Sequence, residues 1–214
     1  MPEWSGLRLI ALCSACDAIC VGVELIPPAS RALWEVHEWK HACAILAQDF
    51  ASEWDDILAL MASFRLQREW IEVGGGNRSK VAIAIDGFLA ARGWSAKQFD
   101  TKVQVDEHEM PSPTHEVDCF KNRVALEVEW NNKDPFFDRD LNNFRLLFDL
   151  RAVSVGVIVT RSDELQQVFR ELGRNTSFGA STTHMSKLLP RVEGGGGGGC
   201  PLLVLGITRA LYDG

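Results

Sequence analysis

Strict alternation is clearest in VALEVEW, where apolar Val124, Leu126, Val128 and Trp130 interleave with Ala125, Glu127 and Glu129. A strand turns successive side chains to opposite faces, so both glutamates project from one face. The preceding VDCF is short enough to pair with it as a hairpin. With Lys121 and Asn122 as a two-residue loop, Phe120 faces Arg123, Cys119 faces Val124 and Asp118 faces Ala125. Asp118 is then a diagonal neighbour of Glu127 on the same face.

Elsewhere the pattern predicts a helix from Glu35 through Phe50, then a second one to about Phe64 with Ser52 and Asp55 as a capping box. KVAIAIDGFLAARGW reads as a helix closed by Gly93, TKVQVD as a strand, and EHEMPSPTHE as the loop leading to the carboxylate hairpin. After it, Asp134 caps a helix with Pro135 at its first position and an apolar stripe of Phe137, Leu141, Phe144 and Phe148. VSVGVIVT is apolar enough for a strand buried on both faces, and Ser162 caps a further helix ending at Gly173. A polar stretch, NTSFGASTTHMSKLLPRVEGGGGGGC, forms a long loop before a last strand, CPLLVLGI. Strand, helix and parallel strand beside a hairpin give an α/β fold, a mixed central sheet flanked by helices. Pro27 and Pro28 mark a break, making residues 1–30 an N-terminal extension and 31–214 a single domain.

Composition sets limits on this picture. A 214-residue chain that is 46% hydrophobic and 24% charged buries one sizeable core and needs only one domain. Six unevenly spaced cysteines without a secretory segment point to reduced thiols in a cytoplasmic protein, and no convincing membrane span appears. The net charge of −7 argues against DNA until it is located. Residues 1–60 hold nine acids and three bases, which is −6, and leave −1 for the rest. Residues 173–192 carry Arg174, Lys187 and Arg191 with no acid at all. Local basic surface attracts phosphate despite an acidic total, so nucleic acid remains an allowed partner.

Asp118, Glu127 and Glu129 are the leading chemical candidates. Three carboxylates on one face repel unless a cation neutralises them, and an all-oxygen set suits Mg²⁺ or Mn²⁺ better than zinc. A solvated face of an edge hairpin is the plain alternative. Cys13, Cys16, His37 and His41 imitate zinc-ligand spacing, but the gap between the pairs is too long for a finger and contains two prolines. Gly74–Gly76 and Gly194–Gly199 lack the Lys and Ser/Thr of a phosphate loop and read as flexible connections. Ser181, Thr182, Thr183, His184, Lys187 and Arg191 offer donors and acceptors suited to base edges and phosphates, against the alternative of an ordinary polar loop. Lys133 and Arg139 follow the carboxylate strand closely enough to contact phosphate near a scissile bond, or merely to solvate a helix end.

An Asp, a gap of eight residues, then Glu, one apolar residue and Glu or Gln resembles the active-site pattern of the BglII, BstYI and BamHI group of type II restriction endonucleases, within the PD-(D/E)XK nuclease class. KNRVALEVEWNNKDPFFDRDL is the most similar run, and the likeness extends from about Glu35 to Ile207. It implies a Mg²⁺-dependent endonuclease, with Mn²⁺ as a substitute, in which Asp118 and Glu127 hold the metal and Glu129 is the general base or water-orienting group. Glu129 stands where the wider class has Lys, so a lysine-based mechanism does not carry over. Asp86, on the helix before Gly93, is a candidate accessory acid of the kind relatives carry on a helix. The implied partners are duplex DNA and a cognate methyltransferase. One metal site per subunit and two strands to cut imply a homodimer on a palindrome, with a GATC centre as the resemblance suggests. The alternatives are a repair or transposition nuclease of the same fold, and a non-catalytic DNA-binding or zinc-structured protein.

Overall fold

A computed structural model describes residues 22–73, 78–111 and 114–214. The strands are β1 (Trp34–Trp39), β2 (Leu66–Gln67), β3 (Ser95–Lys97), β4 (Lys102–Val105), β5 (His108–Pro111), β6 (Val117–Lys121), β7 (Val124–Val128), β8 (Val155–Arg161), β9 (Leu202–Ile207) and β10 (Tyr212–Asp213). The helices are α1 (Pro28–Arg31), α2 (Ala42–Asp49), α3 (Ala51–Ser63), α4 (Arg68–Glu72), α5 (Lys80–Ala90), α6 (Pro135–Asp149), α7 (Leu165–Glu171) and α8 (Met185–Glu193). One six-stranded sheet runs β1-β9-β8-β7-β6-β3. Its centre, β7-β8-β9, is parallel, while β1, β6 and β3 pair antiparallel at the margins. The α/β fold with a mixed sheet is therefore the observed one.

The two faces of the sheet are covered by different helices, which is why β8 and β9 are buried at every residue. Val124, Leu126 and Val128 join a large core with residues of α2, α3, α5 and α7. Ala125 and Ile158 look the other way, onto Phe137, Leu141, Phe144 and Leu147 of α6 and Leu188 and Val192 of α8. Each such buried Val, Leu, Ile or Phe side chain contributes about 1.5–3 kcal/mol relative to exposure. Ala125 and Gly156 are cross-strand partners. A Cβ on Gly156 would lie 2.7 Å from the Phe144 ring, so α6 rests low on a trough of small residues.

Several expectations need correction. The chain from Glu35 does not start a helix: Trp34–Trp39 is the edge strand β1, paired from Trp34↔Ile207 to Trp39↔Leu202. Lys40 and His41, both at positive φ (55° and 59°), then turn the backbone before α2 begins. Ser52 and Asp55 make no capping box, because α3 begins at Ala51 with Phe50 at the cap position and no side-chain cap bond. His108–Pro111 is not loop but β5, paired with β4. Ser162 does not cap α7; Glu164 stands there. The long polar stretch contains α8, whose Met185, Leu188 and Val192 are buried. Residues 22–30 belong to the packed domain, since Ile26 is fully buried and Gly22 N–H donates to Glu38 Oε1 at 2.9 Å. The break expected at Pro27 and Pro28 is therefore inside packed structure.

Other expectations hold. Gly93 at φ 86° follows the end of α5 and Pro135 opens α6, while Asp134 at the cap position makes no side-chain cap bond. Gly74–Gly76, Cys13 and Cys16 lie outside the described residues. His37 Nε2 lies 3.1 Å from Glu35 Oε1 in a hydrogen bond. Among the described residues no helix is long and apolar enough to cross a membrane.

Candidate active site

The hairpin turns one residue later than Lys121-Asn122. Asn122 and Arg123 occupy the loop, both at positive φ (43° and 70°), the geometry that two-residue hairpin loops favour. Lys121 consequently pairs with Val124, Phe120 with Ala125 and Cys119 with Leu126. Continued by one step, that register puts Asp118 directly opposite Glu127 rather than diagonal to it. The carboxylates remain on one face, and they close the end of the ladder. Val128 N–H donates to Asp118 Oδ2 (3.0 Å) and Asp118 N–H to Glu127 Oε2 (3.3 Å), so side chains take over bonds a longer strand pair would make.

Glu127 is 1% exposed, and no donor reaches its Oε1. Glu129, just past β7, is held by Asn132 Nδ2 (2.8 Å to Oε2) and Arg139 Nη2 (3.2 Å to Oε1). The same guanidinium binds Asp140 Oδ1 at 2.8 Å. Asp140 is fully buried, and its Oδ2 also receives no hydrogen bond. Half-buried His115 completes the group: one ligand atom each from His115, Glu127 and Asp140 lie within 4.8 Å of one another. Asn143 Nδ2, one turn after Asp140, donates to the His115 carbonyl at 3.3 Å and ties that segment to α6.

Burial makes charge costly here. Desolvation, then the charges of Asp140 and Asp118, raises Glu127 well above the ordinary carboxylate range. Glu129 is pushed up to about 9, by desolvation first and then by the charge and hydrogen bonding of Asp140. Asp140 is raised by desolvation, with Glu129 and Arg139 opposing. Without a further cation, burial and the Asp140 charge therefore favour the protonated form of Glu129.

Asp86 lies near the Asp118 side. It accepts from Cys119 Sγ at 3.3 Å and forms a close ion pair with Arg78, which also stands 3.8 Å from Asp118 Oδ1. Five carboxylates (Asp86, Asp118, Glu127, Glu129 and Asp140) are thus faced by two guanidinium groups, Arg78 and Arg139. This surplus of hard oxygen donors, two of them buried without a partner, fits a divalent cation such as Mg²⁺. Asp118 and Glu127, facing across the hairpin, are the residues that would hold it.

The polar segment after α7 divides into inward and outward residues. Thr182 and Thr183 are buried, and their hydroxyls are used internally: Arg161 Nη2 donates to Thr182 Oγ1 (2.8 Å), and Asn132 N–H donates to Thr183 Oγ1 (3.1 Å). Thr182 and Thr183, expected to read base edges, are thus placed inside the fold with their hydroxyls engaged. Arg161 is 1% exposed, lies over the Phe169 and Phe178 rings, and donates further to the Thr183 and Phe178 carbonyls. Ser181 and Lys133 are exposed, the latter bridging to Thr182 beside the carboxylates. His184 binds the Thr182 carbonyl (2.6 Å), Lys187 faces Asp134 (3.6 Å), and Arg191 is paired with Asp138 (2.8 Å). Arg139 is turned inward to Glu129 and Asp140. A cleft of about 390 Å³ lined by Arg161, Asp163, Gln166, Arg170 and His184 lies on this side without including the carboxylates.

Asp140 and His115 escaped the sequence reading. Asp140 carried a signal, since it interrupts the apolar stripe of α6 at helical spacing from Phe137 and Phe144. His115 stands in a segment without periodicity and carried none.

No curated protein matches the chain. A family model described as restriction endonuclease BglII/BglIII matches residues 34–207. That span takes in the whole six-stranded sheet and every carboxylate of the site. A cluster of strand-borne carboxylates at the end of a mixed sheet, inside so long a match, leaves one assignment: the chain belongs to the BglII/BglIII restriction endonuclease family, nucleases that act on DNA.

Proposed function

We propose that the protein is a Mg²⁺-dependent type II site-specific deoxyribonuclease of the cytoplasm, cutting duplex DNA as a homodimer at a short palindrome, with a GATC-centred hexamer as the first sequence to try. The observation that carries this reading is the facing pair Asp118 and Glu127 at the open end of the β6–β7 ladder, with Glu127 Oε1 buried and unpartnered. Bound there, Mg²⁺ or Mn²⁺ supplies charge that polarises a phosphate and acidifies a water. Asp118 and Glu127 hold the cation, and the Val128 N–H fixes the Asp118 carboxylate. Glu129, aimed by Asn132 and Arg139, orients the attacking water and accepts its proton once its own has been displaced. Lys133, Ser181, His184, Lys187 and Arg191 lie along one polar border and contact DNA. Equivalent cuts in two strands need two such sites, which a twofold dimer supplies. A methyltransferase of the same specificity protects the host genome.

The test is digestion of plasmid DNA by the full chain with Mg²⁺, followed by sequencing of the ends. Discrete ends at one palindrome are expected. Heterogeneous ends would indicate a repair-type nuclease, and binding without cleavage would remove the catalytic assignment.

A further inference from the structure

The site holds more ligand chemistry than the facing pair uses. Asp140 Oδ2 and Glu127 Oε1 are buried, each on a side chain no more than 1% exposed, and no N–H donor reaches either, although the Glu129 carboxyl also hydrogen-bonds the Asp140 carboxyl. Burying such atoms unpaired costs about 1–3 kcal/mol each, and more when charged. Arg139 does not relieve them, because it spends its bonds on Asp140 Oδ1 and Glu129 Oε1. The third neighbour is an imidazole whose backbone is fixed to α6 through Asn143. Two ligands on opposite sides of a transition ion, each at about 2.1 Å, lie about 4.2 Å apart. Only one pair among three ligands can be opposed, so these atoms, within 4.8 Å of one another, would draw in by about an ångström to share an ion.

We propose that His115, Glu127 and Asp140 form a cation site of their own that takes a divalent transition ion, Mn²⁺, Co²⁺ or Zn²⁺, in preference to Mg²⁺. The nitrogen ligand makes the distinction, since imidazole suits transition ions and Mg²⁺ demands oxygen. Glu127 is common to this site and to the Asp118 pair, but its other two ligands come from elements outside the hairpin, the segment before β6 and helix α6. An ion here bridges that segment to α6 and neutralises Asp140. Its binding does not depend on whether the chain cleaves DNA.

The experiment uses the full chain stripped of metal, titrated with MnCl₂, and read by electron spin echo modulation from ¹⁴N and by affinity. Nitrogen modulation is expected in the parent and in Asp118→Asn, with a tenfold excess of MgCl₂ failing to remove it. His115→Ala should abolish the modulation, and both His115→Ala and Asp140→Asn should weaken Mn²⁺ at this site at least tenfold. If Asp140→Asn does not fold, as circular dichroism would show, His115→Ala in its half-buried segment decides alone. Absence of nitrogen modulation in the parent, or its persistence in His115→Ala, would overturn the site. So would loss of all Mn²⁺ binding in Asp118→Asn with His115→Ala unchanged. Cleavage assays are not used, so failure of the nuclease reading would leave this result standing.

Discussion

The carboxylate hairpin and the polar segment around Thr182 are both rich in hydrogen-bonding side chains, yet the structure treats them in opposite ways. In the polar segment the buried groups are satisfied from within: Arg161 alone bonds Thr182, Thr183 and Phe178 and lies over two phenylalanine rings. At the hairpin, carboxylates are driven into the protein with two oxygens left open and more negative than positive groups. Polar composition therefore does not separate scaffold from chemistry. A cluster of buried, unsatisfied carboxylates is the stronger sign, because isolated orphans such as Trp39 Nε1 and Arg174 Nε occur in the scaffold as well.

The largest effect should come from breaking the unsatisfied side of this contrast. Asp118→Asn or Glu127→Ala is expected to lower cleavage roughly a thousandfold, about 4 kcal/mol of barrier, while DNA binding stays measurable and thermal stability is unchanged or higher. Single-turnover assays with melting curves check both, and rates within tenfold of the parent would remove these residues from the centre.

Arg161→Leu tests the satisfied side. It strands the Thr183 carbonyl and removes the donor to the Thr182 hydroxyl, which still donates to the Gly179 carbonyl, and should destabilise the protein by about 3 kcal/mol, with loss of ordered DNA binding rather than of metal affinity. A stability change below about 0.5 kcal/mol, within the range of ordinary surface substitutions, would show that the segment is held by other means. Glu129→Gln should be milder, lowering cleavage about tenfold to a hundredfold, since an amide still orients water but accepts no proton. Complete inactivity would make proton abstraction by Glu129 indispensable.

A further effect is a pH dependence of the metal-free protein. Glu129 has its folded pKa raised from about 4.5 to about 9, so its protonated form is favoured by folding. That contribution is fully present below pH 4.5 and lost as pH rises towards 9. Glu127 and Asp140 are shifted in the same direction. Melting temperature without metal should fall over this range, and saturating Mg²⁺ or Mn²⁺ should flatten the fall by favouring the ionised forms. An unaltered slope with metal would separate the carboxylates from any cation.

Much of the site was legible because period two is a local property. Glu127 and Glu129 had to share a face, and a short hairpin had to bring Asp118 to it. The turn lies one position later than the pattern predicts, since Asn122-Arg123 is an unusual pair for a loop that needs positive φ twice. Trp34–Trp39 is a strand where the pattern predicts a helix, because apolar spacing in WEVHEW satisfies both and only pairing with β9 decides between them. The burial of Thr182 and Thr183 depends on Arg161, more than twenty residues earlier, and tertiary partners at that range leave no local pattern.

Gly156 and Ala125, side by side beneath α6, fix the height at which that helix rides above the sheet. Phe144 sits on this trough one turn beyond Asp140, so the depth of the trough sets how far a short aspartate projects toward Glu127. A methyl group added at Gly156 would act as a shim: it would tilt the near end of α6 upward and widen the aperture between helix and hairpin, detuning the site from a position that contains no ionisable atom.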